Sequence, residues 1–182
     1  MRWLLMLSLV LFTAACELDT TSPTTNTTNN NTSSSSTTIE VDQIPYGAEQ
    51  ARVTRVIDGD TIDVELDGDT YRVRYVGMNT PERDEPCYQD AVNANRDLVE
   101  GETVWLVIDT SETDQYDRLL RYIYVGNVFV NATLVNQGYA EVVRYNPDDE
   151  HFDYFSDLED AADSAERGCH PTGIFDDGSY TR

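Results

Sequence analysis

Ile62, Val64 and Leu66 alternate with Asp63, Glu65 and Asp67, the period of two that gives a strand one apolar face. After Asp67-Gly68-Asp69 the alternation resumes, with Tyr71, Val73 and Tyr75 set against Arg72 and Arg74. An Asp-Gly pair between two such runs predicts a hairpin, because both central positions of the tight turn take positive φ. Asp-Gly-Asp also occurs at 58–60, where it ends one strand and begins another. Val104–Ile108 reads as a strand apolar on both faces, and Leu119–Val125 as another. The period becomes helical over 88–100, 130–137 and 152–167, and each stretch is followed by a glycine suited to a C-terminal cap, namely Gly101, Gly138 and Gly168. In the last helix Phe152, Phe155, Leu158, Ala162 and Ala165 form one stripe that predicts a core-facing side. Residues 43–182 suffice for one compact domain. The predicted fold class is α+β, a small five-stranded barrel of the oligonucleotide-binding (OB) type with three helices.

The N-terminal pattern differs. Arg2 precedes an apolar run from Trp3 to Phe12, and Thr13-Ala14-Ala15-Cys16 follows. The run is too short to span a hydrocarbon core of about 30 Å as a mature helix. It reads as a signal peptide over 1–15, with cleavage before Cys16 and lipidation of that cysteine; a plain secretory signal is the alternative. Residues 16–42 then form the lipidated N-terminus and a Thr/Ser/Asn-rich tether, too poor in apolar surface to offset the entropy of ordering. The expected location is extracellular, at the cell surface, with the lipid anchor as the membrane contact and no transmembrane helix in the mature protein. Asn-x-Ser/Thr triplets begin at Asn26, Asn30, Asn31 and, within the domain, Asn131, and each is a candidate glycan acceptor.

Charge changes the picture. Asp and Glu number 34 against 12 basic residues, all arginine, for a net charge of -22. Such a surface disfavours a polyanionic partner in dilute buffer. An acidic, lysine-free chain matches exposure to molar salt, where the Debye length is roughly 3 Å and long-range repulsion nearly vanishes, so a halophilic source is expected. With Cys16 lipidated, Cys87 and Cys169 remain as a pair in a secreted protein, either bridged as a disulfide or present as two buried thiols. His151 and His170 form no ligand or catalytic constellation and read as loop or surface residues. A monomer is expected.

Four short motifs carry the chemistry: Asp58-Gly59-Asp60-Thr61, Arg74, Asn79-Thr80-Pro81-Glu82 and Asp114-Gln115-Tyr116-Asp117-Arg118. They supply oxygen ligands for a hard cation, a further carboxylate and two guanidiniums, the equipment of a metal-assisted phosphodiesterase. These motifs, with Val56-Ile57 ahead of the first, Tyr75-Val76-Gly77-Met78 ahead of the third and Val130–Gly138, resemble the staphylococcal nuclease (thermonuclease) family from about Ala51 to Phe175. The resemblance implies a calcium-dependent nuclease acting on DNA and/or RNA and leaving 3′-phosphates. By position it implies Asp60 as a direct calcium ligand, Asn79 in the place of a second carboxylate ligand and Thr80 as a carbonyl donor. Glu82 falls on the general base, and Arg74 and Arg118 on the phosphate-binding arginines. Tyr116 and Tyr145 fall near positions lining the nucleotide pocket, with core packing as the alternative. Two positions depart from the family: Asn79 stands where Asp is common, and Asp117 where Gly is frequent, beside Arg118 and placed to draw its guanidinium from phosphate. A catalytically inactive OB-fold module that binds nucleic acid or another surface partner is the competing expectation. A purely structural surface lipoprotein accounts for the anchor and tether but for none of the motifs.

Overall fold

The computed structural model describes residues 38–176. In chain order the strands are β1 (Glu49–Val56), β2 (Thr61–Leu66), β3 (Asp69–Tyr75), β4 (Met78–Asn79), β5 (Thr103–Val107), β6 (Leu119–Val125), β7 (Val128–Phe129) and β8 (Glu141–Val142). Helix α1 (Tyr88–Val99) lies between β4 and β5, α2 (Val130–Asn136) between β7 and β8, and α3 (Phe152–Ser164) after β8. The β2–β3 hairpin turns through Asp67 (φ 54) and Gly68 (φ 92), the two positive-φ positions its turn demands.

Sheet order is β3-β2-β1-β5-β6, and β6 returns to pair with β3 in parallel, so five strands close into a barrel. Closure sets Arg74 opposite Leu120, which brings the segment preceding β6 to the end of β3. The two-residue strands β4 and β8 pair antiparallel and place Asn79 opposite Glu141. Inside the barrel Ile62, Val64, Val73, Tyr75, Leu106 and Ile123 are buried. Strand β5 alternates rather than burying both faces: Val104 and Leu106 point inward, while Trp105 and Val107 are half covered. Helix α2 is buried along its whole length and packs between β6 and α3.

Each helix ends one to three residues before its expected limit. Gly101, Gly138 and Gly168 adopt positive φ and turn the chain away. The α3 stripe stops at Ala162, with Ala165 outside the helix and exposed.

Ordered packing starts earlier than residue 43. Phe129 N donates to Ile39 O at 2.8 Å, Val41 N to Asn127 O at 2.8 Å and Ile39 N to Thr133 Oγ1 at 2.9 Å. Ile39, Val41 and Ile44 also rest on the core, so these apolar side chains belong with the domain. Asn131 is not an available glycan acceptor in the folded chain: it is fully buried, its Oδ1 accepts from Ile123 N and its Nδ2 donates to Val76 O. Both histidines are packed rather than free on the surface. His151 lies edge-on to Tyr122 at 4.6 Å, and the buried His170 ring places Nδ1 3.3 Å from an Asp163 oxygen. Burial lowers the pKa of each. Cys87 and Cys169 are joined as a disulfide. The signal segment, Cys16, the first three Asn triplets and the tether up to residue 37 lie outside the described residues. Among the described residues no helix is long and apolar enough to cross a membrane.

Candidate active site

The link between β1 and β2 is Asp58-Gly59-Asp60, and its backbone is tied by Ile57 N and Asp58 N donating to Thr61 O. A Cβ on Gly59 would lie 2.6 Å from Thr80 Oγ1. Only glycine lets Thr80 close over the turn, so this Asp-Gly-Asp serves packing at the site whereas the one at 67–69 serves a hairpin. Thr80 N and Oγ1 each donate to Asp60 Oδ2 at 3.0 Å, and Thr61 Oγ1 donates to Asp60 Oδ1 at 2.9 Å. Burial, then the neighbouring charge of Asp60, pushes Asp58 up to about 7. Two carboxylates therefore share one poorly solvated pocket, the situation a bound cation relieves.

Arg74 joins this pair to the next motif. Its Nη2 lies 3.2 Å from Asp60 Oδ2 and donates to Asn79 Oδ1 at 2.6 Å, while Nη1 donates to the carbonyls of Tyr75 and Met78. Asn79 Nδ2 in turn donates to Glu141 Oε1 at 3.4 Å. Asp60, Arg74, Asn79 and Glu141 are all buried. Glu82 lies apart from this network and is exposed, with its N–H donating to Glu85 Oε2 at 2.7 Å.

The second guanidinium is held differently. Asp114 Oδ1 accepts from Tyr116 N and Arg118 N, and Asp114 Oδ2 accepts from Arg118 Nε at 2.6 Å. Burial raises the Asp114 pKa, but the hydrogen bonds from Arg118 and Tyr116 outweigh it and hold the carboxyl below its usual range. The expectation that Asp117 draws Arg118 aside is therefore corrected: Asp114 is the partner. Asp117 instead carries the left-handed turn (φ 61), the conformation glycine adopts without cost.

Arg74, Arg118, Tyr116, Tyr145, Asp114 and Asp148 line one cavity of about 520 Å³. Tyr116 and Tyr145 are 71% and 41% exposed, so both belong to the cavity wall and not to the core. Arg118 lies over the Tyr116 ring, 5.5 Å from its centroid. Asp148 accepts from Thr110 N and Ser111 N, which pins the Tyr145 segment to the loop after β5. The structure thus unites Asp60, Arg74, Asn79 and Thr80 through hydrogen bonds, and Arg74, Arg118, Tyr116 and Tyr145 through a cavity. Arg74 belongs to both sets, whereas Glu82 belongs to neither.

Among the described residues no three His, Cys, Asp or Glu side chains converge as a metal-binding group. The donors present are carboxylate, amide and backbone oxygens from Asp58, Asp60, Asn79 and Thr80, which is a set for a hard cation. Sequence reasoning assigned no role to Asp114 or Glu141. The spacing of Asp114 and Arg118 was a usable signal, whereas Glu141 reaches Asn79 only through the β4–β8 pairing.

A sequence model described as "Staphylococcal nuclease homologue" matches residues 72–169, more than half of the chain. That match begins beyond Asp60 and includes Arg74, Asn79, Thr80, Glu82 and Arg118. Among curated proteins, the chain is 38% identical over 118 residues to the SPbeta prophage-derived endonuclease YokF of Bacillus subtilis, covering 60% of this chain and 40% of that protein. It is 35% identical to the thermonuclease of Staphylococcus intermedius, covering 57% and 65% respectively. With the thermonuclease of Staphylococcus hyicus the identity is 32%, covering 64% and 70%. The chain thus spans only 40% and 65% of the first two relatives' own lengths. Matched motifs, a closed five-stranded barrel and shared identity agree: the chain belongs to the staphylococcal nuclease homologue family.

Proposed function

We propose that this protein is a calcium-dependent nuclease that hydrolyses phosphodiester bonds of DNA and/or RNA outside the cell, tethered by a lipid on Cys16. The observation that carries the reading is the double membership of Arg74, bonded to Asp60 and Asn79 and exposed to the cavity it shares with Arg118. Asp60, Asn79 and the Thr80 carbonyl would hold calcium, which supplies charge compensation at a phosphate oxygen. Arg118 spends Nε on Asp114 and keeps both terminal nitrogens for phosphate. The exposed Glu82 carboxylate takes the proton of the attacking water as the new O–P bond forms and the P–O5′ bond breaks. Tyr116 and Tyr145 offer ring faces to a base. The relatives' names, endonuclease and thermonuclease, support the same reaction class. The signal-like N-terminus and the disulfide support an oxidising, extracellular setting.

Asn79 Oδ1 already accepts from Arg74, and this observation favours a second reading, a binding module without catalysis. One experiment separates the two: the purified chain is incubated with plasmid and RNA across a salt series, with calcium, magnesium or chelator. Calcium-dependent cleavage is expected. Binding of single strands with no cleavage under any divalent ion replaces the enzyme with the module.

A further inference from the structure

The outer face of β1–β3 carries a row of charges beside the site. Register pairs Arg55 with Asp63 and Asp63 with Arg72, so the three side chains run across the strands. Asp63 Oδ2 accepts from Arg55 Nε at 3.1 Å and Nη2 at 2.8 Å, and Oδ1 accepts from Arg72 Nε at 2.9 Å. Ala51 and Val53 point inward, and strict alternation would turn Arg55 inward as well. The register instead shifts between Val53 and Arg55, and the extra residue, Thr54, returns Arg55 to the outer face. Bulges beside active sites re-aim side chains in this way. One arginine is enough to pair with Asp63; a second, delivered by a bulge, exceeds what pairing requires.

The row is continuous with the site. Arg72 and Arg74 are two residues apart on β3 and so share a face. The charge of Asp58 is felt at Arg72. Arg55 and Arg72 keep side-chain exposures of 63% and 46% around a single carboxylate, a local positive excess in a chain of net charge -22. Arg52, exposed and opposite Glu65, extends the face.

We propose that Arg55 and Arg72 form an accessory track for the phosphates of a nucleic-acid strand flanking the bond held between Arg74 and Arg118. This deepens the nuclease reading and rests on it. Asp63 occupies Nε and Nη2 of both arginines, which fixes the two forks and leaves Nη1 of each for a second acceptor. Phosphate contacts of this kind position a strand without reading its sequence, and the β2–β3 face is where barrels of this type receive oligonucleotides.

The test compares the parent with Arg55→Gln/Arg72→Gln on an oligothymidylate of about 20 nucleotides and on a minimal nucleotide p-nitrophenyl diester. The double variant should raise KM for the oligomer about tenfold and flatten its log–log salt dependence by about one. Its kcat/KM on the minimal diester should change less than about twofold. An unchanged oligomer KM, or equal losses on both substrates, overturns the track. Arg55→Gln alone leaves Asp63 its Arg72 partner and keeps folding secure; about a threefold rise in oligomer KM is expected, and no rise overturns the proposal. Arg55→Lys/Arg72→Lys should recover most oligomer affinity. If the parent cleaves neither substrate, the nuclease reading fails by itself. Fluorescence anisotropy with the oligomer then decides the track, which stands if the double variant binds more weakly and falls if affinities are equal or binding is absent.

Discussion

The two arginines that share the cavity are secured in opposite ways. Arg74 is buried and ties together Asp60, Asn79 and two backbone carbonyls, so its place depends on barrel closure and on the β4–β8 pairing. Arg118 is partly exposed and depends on one turn, in which Asp114, four residues earlier, takes its Nε and its backbone N–H. The first arrangement is preorganised by the whole fold, and its electrostatics act in a poorly solvated pocket where each contact counts for more. The second is local and adjustable. A site built from one fixed and one adjustable cation can hold a phosphate rigidly on one side while the other side follows the strand.

The comparison is broken most directly by removing each arginine. Arg74→Ala, Arg118→Ala and Glu82→Gln should each lower turnover by about a hundredfold or more in a calcium-dependent cleavage assay. Thermal melts should separate them. Arg74→Ala strands a buried Asp60 and should cost on the order of 3–5 kcal/mol, whereas Arg118→Ala should shift stability little. Equal melting temperatures would remove the distinction drawn above.

Calcium affinity sharpens the fixed side. Asp60→Ala should weaken binding in calorimetry, and Asn79→Asp should tighten it roughly tenfold by adding ligand charge. An aspartate at 79 also faces Glu141, whose Oε1 now receives the Asn79 amide. Asn79→Asp/Glu141→Gln should therefore bind more tightly than Asn79→Asp alone.

A smaller, global effect is salt dependence. With 34 acidic and 12 basic residues, the melting temperature and activity should rise from dilute buffer toward about 1 M salt as self-repulsion is screened. Monotonic decline of both would remove the halophilic expectation and leave the nuclease reading in place.

The fixed side also carries a pH signature. Burial, then the charges of Glu141, Asp160 and Asp163, raise Glu159 from 4.5 to about 7 against a hydrogen bond from Val142 N. The folded chain therefore holds this proton more tightly than the unfolded chain, and the stability it confers is present below pH 4.5 and lost as pH rises through 7. Glu159→Gln should melt higher than the parent at pH 8 and alike near pH 4. The smallest effect belongs to the adjustable side: Asp117→Gly relieves a left-handed residue (φ 61) and should stabilise by about 0.5–1 kcal/mol in denaturant titration.

Strands β2, β3 and β6 and the three helices were legible because their side-chain periods are local. The closure of β3 on β6 was not written locally, since a parallel contact between strands far apart in sequence leaves no trace in either. Burial of Asn131 followed the same rule: its triplet reads as an acceptor until Ile123 and Val76 claim its amide. Asp60, Arg74, Asn79 and Thr80 were recognisable by motif, and their joining by hydrogen bonds adds the reason for Gly59. Asp114 was inside a recognised motif, yet its role passed to Asp117 by adjacency, because a positive φ at Asp117 is invisible until the turn is seen. Glu141 depended on two paired residues of β4 and β8, too short for any period to register.

The bridge between Cys87 and Cys169 encloses α1, the Arg118 turn, α2 and most of the segment that follows. A protease that cuts once anywhere inside that span leaves two peptides that remain one covalent molecule. The amino-terminal piece retains Asp60, Arg74 and Glu82, and a cut before 114 assigns Arg118 to the other piece while the bridge still holds both together. For a molecule working among extracellular proteases, damage at an exposed loop would therefore appear as a nick visible only after reduction, not as the loss of half a site.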